Sequence, residues 1–353
     1  MPERQPMRGH SLMLQEISEQ PEVLARAFEA ERNHARAFRE FAARQNFRLV
    51  VLVARGTSDN AALFGRYLIE WTTGIPVSLA APSIYTLYRA RLDLKRALVV
   101  GISQSGESTD VNVVLRSARR QGAYTVAITN EAGSTMARLA DEVFLVRAGR
   151  QRSVAATKTY AGQLLMLYLL AAALGTGVQL DGVARIPRWV EQALALRETV
   201  GVLVERYRYM RHAVVVARGL NYANAFEFSL KLMETCYVVA ERFSAADFLH
   251  GPIALVERDL PVFLFIAPGA CFRTLERLAR RLHRMGAETL LLGSRGAPLP
   301  PATRTLCIEA RIPEVYTPIP YIVPAQLFAA LLAETKGLNP DRPRFLRLVT
   351  RTL

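Results

Sequence analysis

The chain repeats itself at long range. Val53-Ala54-Arg55-Gly56 recurs as Val216-Ala217-Arg218-Gly219, and Gly122-Ala123-Tyr124-Thr125-Val126 recurs as Gly286-Ala287-Glu288-Thr289-Leu290. The spacing of about 164 residues is far too long for a solenoid unit and indicates a duplicated domain. A length of 353 residues leaves room for two such domains. Each copy reads strand, glycine-containing turn, helix, strand, loop, helix, Gly-Ala turn, strand, and Gly74-Ile75-Pro76-Val77 adds a short strand within the first. The join falls in the helical region between Gly175 and Val200, where Gly175-Thr176-Gly177 and Pro187 interrupt the pattern. The Gly175-Thr176-Gly177 triplet follows a helix and lacks the third glycine of a dinucleotide fingerprint, so it reads as a turn.

The apolar runs at Arg48 to Ala54, Ala97 to Ile102, Thr125 to Ile128 and Glu142 to Val146 are continuous rather than alternating. That is the pattern of parallel strands covered on both faces, and the helical stretches between them imply crossover units in a doubly wound α/β sheet. Ahead of them, residues 1–44 form a charged, helix-like segment in which Pro21 suits a helix's first turn. The domain organisation expected is residues 1–44 as this segment, 45–190 and 191–340 as the two copies, and 341–353 as a tail.

Ser103-Gln104-Ser105-Gly106-Glu107-Ser108 is delivered by the run Ala97 to Ile102 to the start of a helix. Small residues let the backbone approach a ligand, and hydroxyls add donors to the free N–H groups and positive end of the helix, a chemistry suited to phosphate. An ordinary turn with Ser108 or Thr109 as N-cap is the alternative. Gly56-Thr57-Ser58 ends the preceding long strand, so both loops could line one crevice at the carboxyl ends of strands. A third polar loop, Ser153-Val154-Ala155-Ala156-Thr157-Lys158-Thr159, precedes the apolar helix Tyr160 to Leu174.

In the second copy, a helix read as Asn224 to Ala240 places Glu227, Lys231 and Glu234 on one stripe. For Glu227 and Lys231 the favoured reading is an exposed ion-pair ladder or a structural variant of it. Glu234, beside Met233 and an apolar run, is a candidate proton acceptor if partly buried. His250 precedes Gly251-Pro252 in a loop; His10, His34, His212 and His283 read as surface or structural residues.

Taken together, these motifs resemble the sugar isomerase (SIS) domain family, and within it the isomerase half of glutamine:fructose-6-phosphate amidotransferase and the stand-alone SIS-type glucosamine-6-phosphate deaminases. The resemblance runs over nearly the whole chain after Met13 and implies two tandem SIS domains. It implies phosphate contacts from Ser103, Gln104, Ser105 and Ser108, Thr57 and Ser58 near the sugar, and Val154 and Ala156 in the substrate-binding set. It assigns Glu234 the base that moves a proton between C1 and C2, and His250 assistance to ring opening from a neighbouring subunit, hence a homodimer. Where the family commonly has threonine, Ser108 keeps a hydroxyl. Two departures stand out. The chain begins Met1-Pro2 without the glutaminase domain and its cysteine nucleophile, so glutamine hydrolysis is not expected. The tail Pro343-Arg344-Phe345-Leu346-Arg347-Leu348-Val349-Thr350 carries Leu348 where the family has a Schiff-base lysine, and leucine cannot form an imine. Arg347 stays protonated and is no substitute. The resemblance implies isomerase or deaminase chemistry on glucosamine 6-phosphate or a related hexose 6-phosphate, or binding of a sugar phosphate without catalysis.

Composition bounds the partners. The net charge of +14 could serve nucleic acid, but the arginines are scattered and no basic run with interleaved aromatics occurs, so no nucleic-acid partner is expected. No apolar run reaches the length needed to cross a bilayer, and the longest, Leu164 to Leu174, reads as a buried helix. Cys236, Cys271 and Cys307 lack metal or disulfide spacing and read as buried thiols. Neither a metal nor a redox cofactor is suggested, and a cytoplasmic location without membrane association is expected.

Overall fold

The continuous apolar runs form parallel strands, as their lack of alternation requires. The structure, a computed structural model, describes residues 11–346, and the chain divides into two units. Within the described residues, the first unit comprises 22–151 and 158–185, and the second comprises 11–21, 152–157 and 186–346.

The first unit is built on β1 (Leu49–Val53), β2 (Val77–Leu79), β3 (Ala97–Ser103), β4 (Tyr124–Thr129) and β5 (Glu142–Leu145), in the order β2-β1-β3-β4-β5. Every pair is parallel. The chain steps from β1 to β2 on one side, then back past β1 to β3 on the other. The strand order therefore reverses between β1 and β3, and their carboxyl ends flank the crevice where ligands of such sheets bind. All seven residues of β3 are buried. On one face Val51, Val53 and Val99 pack with Val111, Val114 and Leu115 of the helix Thr109–Arg120. On the other unit's sheet the same logic recurs.

The second unit carries β6 (His212–Ala217), β7 (Val239–Ser244), β8 (Pro261–Phe265), β9 (Glu288–Ser294) and β10 (Arg304–Ile308), in the order β10-β9-β8-β6-β7 and again all parallel. Read from its first strand, this is the same order as in the first unit, so the duplication extends to topology. The helix Phe272–Arg284 shows why its sequence folds as it does: Leu275, Leu278, Ala279 and Leu282 recur at helical spacing and are buried against Val262, Leu264 and Leu291, while its arginines face outward. Each of those leucines contributes roughly 1.5–3 kcal/mol of burial.

In each unit one helix is apolar on every side. Lys158–Leu174 packs on Thr57–Thr73 in the first, and Pro318–Thr335 packs on Tyr222–Cys236 in the second. Burial all round is what such a composition demands. Among the described residues no helix is long and apolar enough to cross a membrane.

The second copy's helix is shorter than its sequence suggests. It spans Tyr222–Cys236, because Tyr237 adopts a left-handed conformation (φ 54°) and closes it, and the chain from Val239 becomes β7. The short second strand is thus present in both copies, not in the first alone.

Candidate functional site

At the carboxyl end of β3, the loop Ser103–Ser108 is fastened through its backbone. The Gln104 carbonyl accepts from the Asn130 N–H at 3.1 Å and the Thr129 hydroxyl at 3.3 Å. The Gly106 carbonyl accepts from the Met136 N–H at 3.0 Å and from Asn112 Nδ2 at 3.2 Å. Gly106 itself turns with φ 64°, and a Cβ there would collide with Ser134. The loop's main-chain carbonyls are thus spent on holding its shape, and the Glu107 carboxylate helps by accepting from the Thr135 N–H at 2.8 Å and hydroxyl at 2.9 Å.

The serine hydroxyls of the loop keep their donor side unspent. Ser103 Oγ accepts from the Gly106 N–H at 3.2 Å, and Ser105 Oγ accepts from the Glu107 N–H at 3.3 Å. A hydroxyl that accepts in this way still has its proton to give, and neither proton meets an acceptor among the described residues. Ser108 occupies the N-cap position of Thr109–Arg120 but makes no side-chain cap bond. The ordinary capping role open at the sequence level is therefore not what Ser108 does. The helix start keeps its positive end, with hydroxyls around it that can donate.

Across the reversal of strand order, β1 leads through Gly56 into the helix Thr57–Thr73, so Thr57 and Ser58 lie in that helix's first turn. Thr57 is partly exposed, whereas Ser58 is buried and its hydroxyl accepts from Gln163 Nε2 at 2.9 Å. One ion pair joins the two loops. Arg55, the last residue before Gly56, donates from Nε at 3.0 Å and Nη2 at 2.6 Å to Asp110 Oδ2, in the first turn of Thr109–Arg120. The sequence analysis gave neither residue a role; the signal was an arginine at one strand end and an acid just inside the neighbouring helix.

In the second unit, Glu227, Lys231 and Glu234 do share one stripe of Tyr222–Cys236. Of the two forms expected for Glu227 and Lys231, the exposed ladder is ruled out, because their side chains are 0% and 1% exposed; the ion pair is a buried one. Lys231 Nζ lies 2.5 Å from Glu234 Oε2 and 3.4 Å from Glu227 Oε1. Burial alone would lower the lysine's pKa, but the two carboxylates outweigh it and hold the ammonium above its ordinary value. Glu234 is the partly exposed end of this triad, at 21%. His250 closes the short helix Ala245–Leu249, is exposed, and makes no side-chain hydrogen bond among the described residues.

Val154 and Ala156 are partly exposed in a segment held within the second unit. Glu16 receives the N–H groups of Arg152 and Ser153, and the Asp341 carbonyl receives that of Val154. Leu348 and Arg347 lie outside the described residues, as does His10. His34 bridges Glu31 and Glu142 at 3.0 and 2.7 Å and stacks on Phe144, a structural role. Of the three thiols only Cys236 is fully buried, its pKa pushed up to about 12 by that burial; Cys271 and Cys307 are partly exposed.

Comparison with known proteins gives a consistent outcome. The SIS domain profile matches twice, at residues 45–173 and 207–335. A glutamine–fructose-6-phosphate aminotransferase (isomerizing) of Pyrococcus horikoshii is 36% identical over 341 residues, which is 95% of this chain and 56% of that protein. The chain spans about half the length of the curated relatives it matches. Among solved structures, the C-terminal domain of glucosamine-fructose-6-phosphate aminotransferase from Francisella tularensis aligns with a TM-score of 0.84 at 26% identity, covering 95% of this chain and 99% of that one. A chain from Silicibacter pomeroyi assigned as a phosphosugar isomerase aligns with a TM-score of 0.84 at 30% identity, covering 93% and 99%.

Proposed function

This chain belongs to the SIS domain family, with two copies of the domain, and from that premise we propose that it is an isomerase-type enzyme that deaminates glucosamine 6-phosphate. The observation that carries the reading is the Ser103–Ser108 loop, whose hydroxyls keep their protons unspent at a helix N-terminus beside the reversal of strand order. A phosphate monoester is the dianion that accepts several such donors at once. Relatives of this chain are named for hexose 6-phosphates, which supports that choice of substrate class.

In the proposed reaction Ser103, Gln104, Ser105 and Ser108 hold the phosphate, Thr57 and Ser58 lie toward the sugar, and Val154 and Ala156 complete the binding set. His250 shuttles the proton that opens the ring, for which an imidazole near neutrality is suited. Glu234 takes the C2 proton of the open aldose and returns it to C1, so that the amine at C2 becomes an imine. Water then adds to that imine and ammonia leaves, giving fructose 6-phosphate. No bond to the protein is needed, which accommodates Leu348. Lys231 holds Glu234 in place and, with Glu227, fixes the charge of the triad. The proposal includes a homodimer, because the exposed, unbonded His250 is assigned to a neighbouring copy's reaction.

Purified protein incubated with glucosamine 6-phosphate is expected to release ammonia and fructose 6-phosphate in equal amounts. Binding without turnover would favour the second reading, a sugar-phosphate effector site, to which Leu348 in place of the family lysine points.

A further inference from the structure

Two acids open the helices at the mouth of the first unit, Asp59 in the first turn of Thr57–Thr73 and Asp110 in that of Thr109–Arg120. Asp110 is the problem for an anion site: its side chain is 2% exposed and lies two residues from Ser108, on the helix whose positive end would attract phosphate. A buried carboxylate there repels a dianion through a medium that screens poorly. Arg55 answers it. Both of its contacting nitrogens converge on the single oxygen Oδ2, and the guanidinium is still 49% exposed at the strand end beside Gly56.

The second unit supplies a contrast on the same topology. Arg218 precedes Gly219 just as Arg55 precedes Gly56, but the matching helix Phe272–Arg284 has no acid in its first turn. The arginine is common to both copies, and among the described residues it pairs with a buried carboxylate in the first alone.

We propose that Arg55 is a positioning residue for the anion site: it neutralises Asp110 and ties the loop after β1 to the helix after β3, so that the serine loop meets a phosphate without an uncompensated buried carboxylate behind it. The inference rests on the sugar-phosphate reading of that loop. Arg55 acts through Asp110, not by touching the phosphate.

Calorimetric titration of the full chain with fructose 6-phosphate and with inorganic phosphate tests it. Arg55→Ala is expected to weaken both about tenfold or more, and Arg55→Ala/Asp110→Asn to recover to within about threefold of wild type, because the repelling charge has gone. Failure of the double variant to recover, with both variants folded by circular dichroism, overturns the inference and makes Arg55 a direct ligand. Should Arg55→Ala not fold, Asp110→Asn alone decides: binding equal to or tighter than wild type supports the inference, and a tenfold loss overturns it. Ionic strength adds a readout that a purely structural role would not move, since Arg55→Ala should flatten the salt dependence of phosphate binding and leave the melting temperature of the double variant near wild type. Absence of wild-type binding to either probe is a different result: it removes the sugar-phosphate reading itself.

Discussion

The two units share a strand order and differ in what stands at the mouth of their sheets. After β3 the first unit presents serines, with hydroxyl protons that no described residue accepts. After β8, the corresponding position, the second unit presents Pro268-Gly269-Ala270-Cys271, and Glu314 Oε2 already accepts the Ala270 N–H at 2.9 Å. Gly269 is required there twice over: its φ is 103°, and a Cβ would collide with that same carboxylate. In one copy an internal carboxylate thus already takes a backbone N–H just before the helix, and in the other the serine hydroxyls keep protons that no described residue accepts. The lesson is that the parallel sheet supplies the place and loop side chains decide whether the place takes a ligand. The second copy has invested its ionisable groups elsewhere, in the Glu227–Lys231–Glu234 triad.

The division of labour in the proposed function, binding in one copy and proton chemistry in the other, is tested most directly at Glu234. Glu234→Gln keeps the shape of the side chain and one oxygen that can accept from Lys231 Nζ, and removes its ability to take up a proton. Turnover of glucosamine 6-phosphate should fall roughly 10²–10⁴-fold, while calorimetric affinity for fructose 6-phosphate stays within about threefold of wild type. A matching loss of affinity would show that Glu234 serves binding, and the division would fail.

How much of this is legible in the residues differs between the two copies for physical reasons. The first copy's strands and mouth are readable because continuous apolar runs, a small-residue loop and a helix start follow one another locally. The end of the second copy's helix is not, because Thr235 to Ala240 continues its apolar pattern and only the left-handed Tyr237 stops it. The burial of Glu227 and Lys231 is equally hidden. Charges four apart on a helix look the same whether solvated or enclosed, and their fate depends on Pro318–Thr335, a helix distant in sequence that packs on theirs. Arg55 and Asp110 were visible as residues but not as a pair, since fifty-odd positions separate them and only the adjacency of β1 and β3 brings them together.

The triad makes a second, smaller break in the comparison possible. Lys231→Met leaves Glu227 buried without its cation, and removing one partner from an enclosed ion pair typically costs about 3–5 kcal/mol. Chemical denaturation followed by far-ultraviolet circular dichroism should register that loss. Lys231→Met/Glu227→Leu should regain most of it, because an apolar pair of similar volume needs no compensation. A loss below about 1 kcal/mol in the single variant would mean that water reaches the triad, and the contrast between an enclosed proton-transfer pole and an open anion-binding mouth would have to be redrawn.

The smallest effect tests the contrast at its root. In Glu314→Ala the Ala270 N–H loses its acceptor, a change near the surface expected to cost about 0.5–1.5 kcal/mol. The informative readout is stoichiometry. If strand order alone made an anion site, uncovering this mouth would add a second phosphate per chain. The second unit has no serine in Pro268–Cys271 to replace the lost oxygen partner with donors of its own, so titration with inorganic phosphate should still give one site per chain. A second site of millimolar affinity would mean that backbone amides at a helix start suffice, and that the serines of the first unit tune affinity without creating the site.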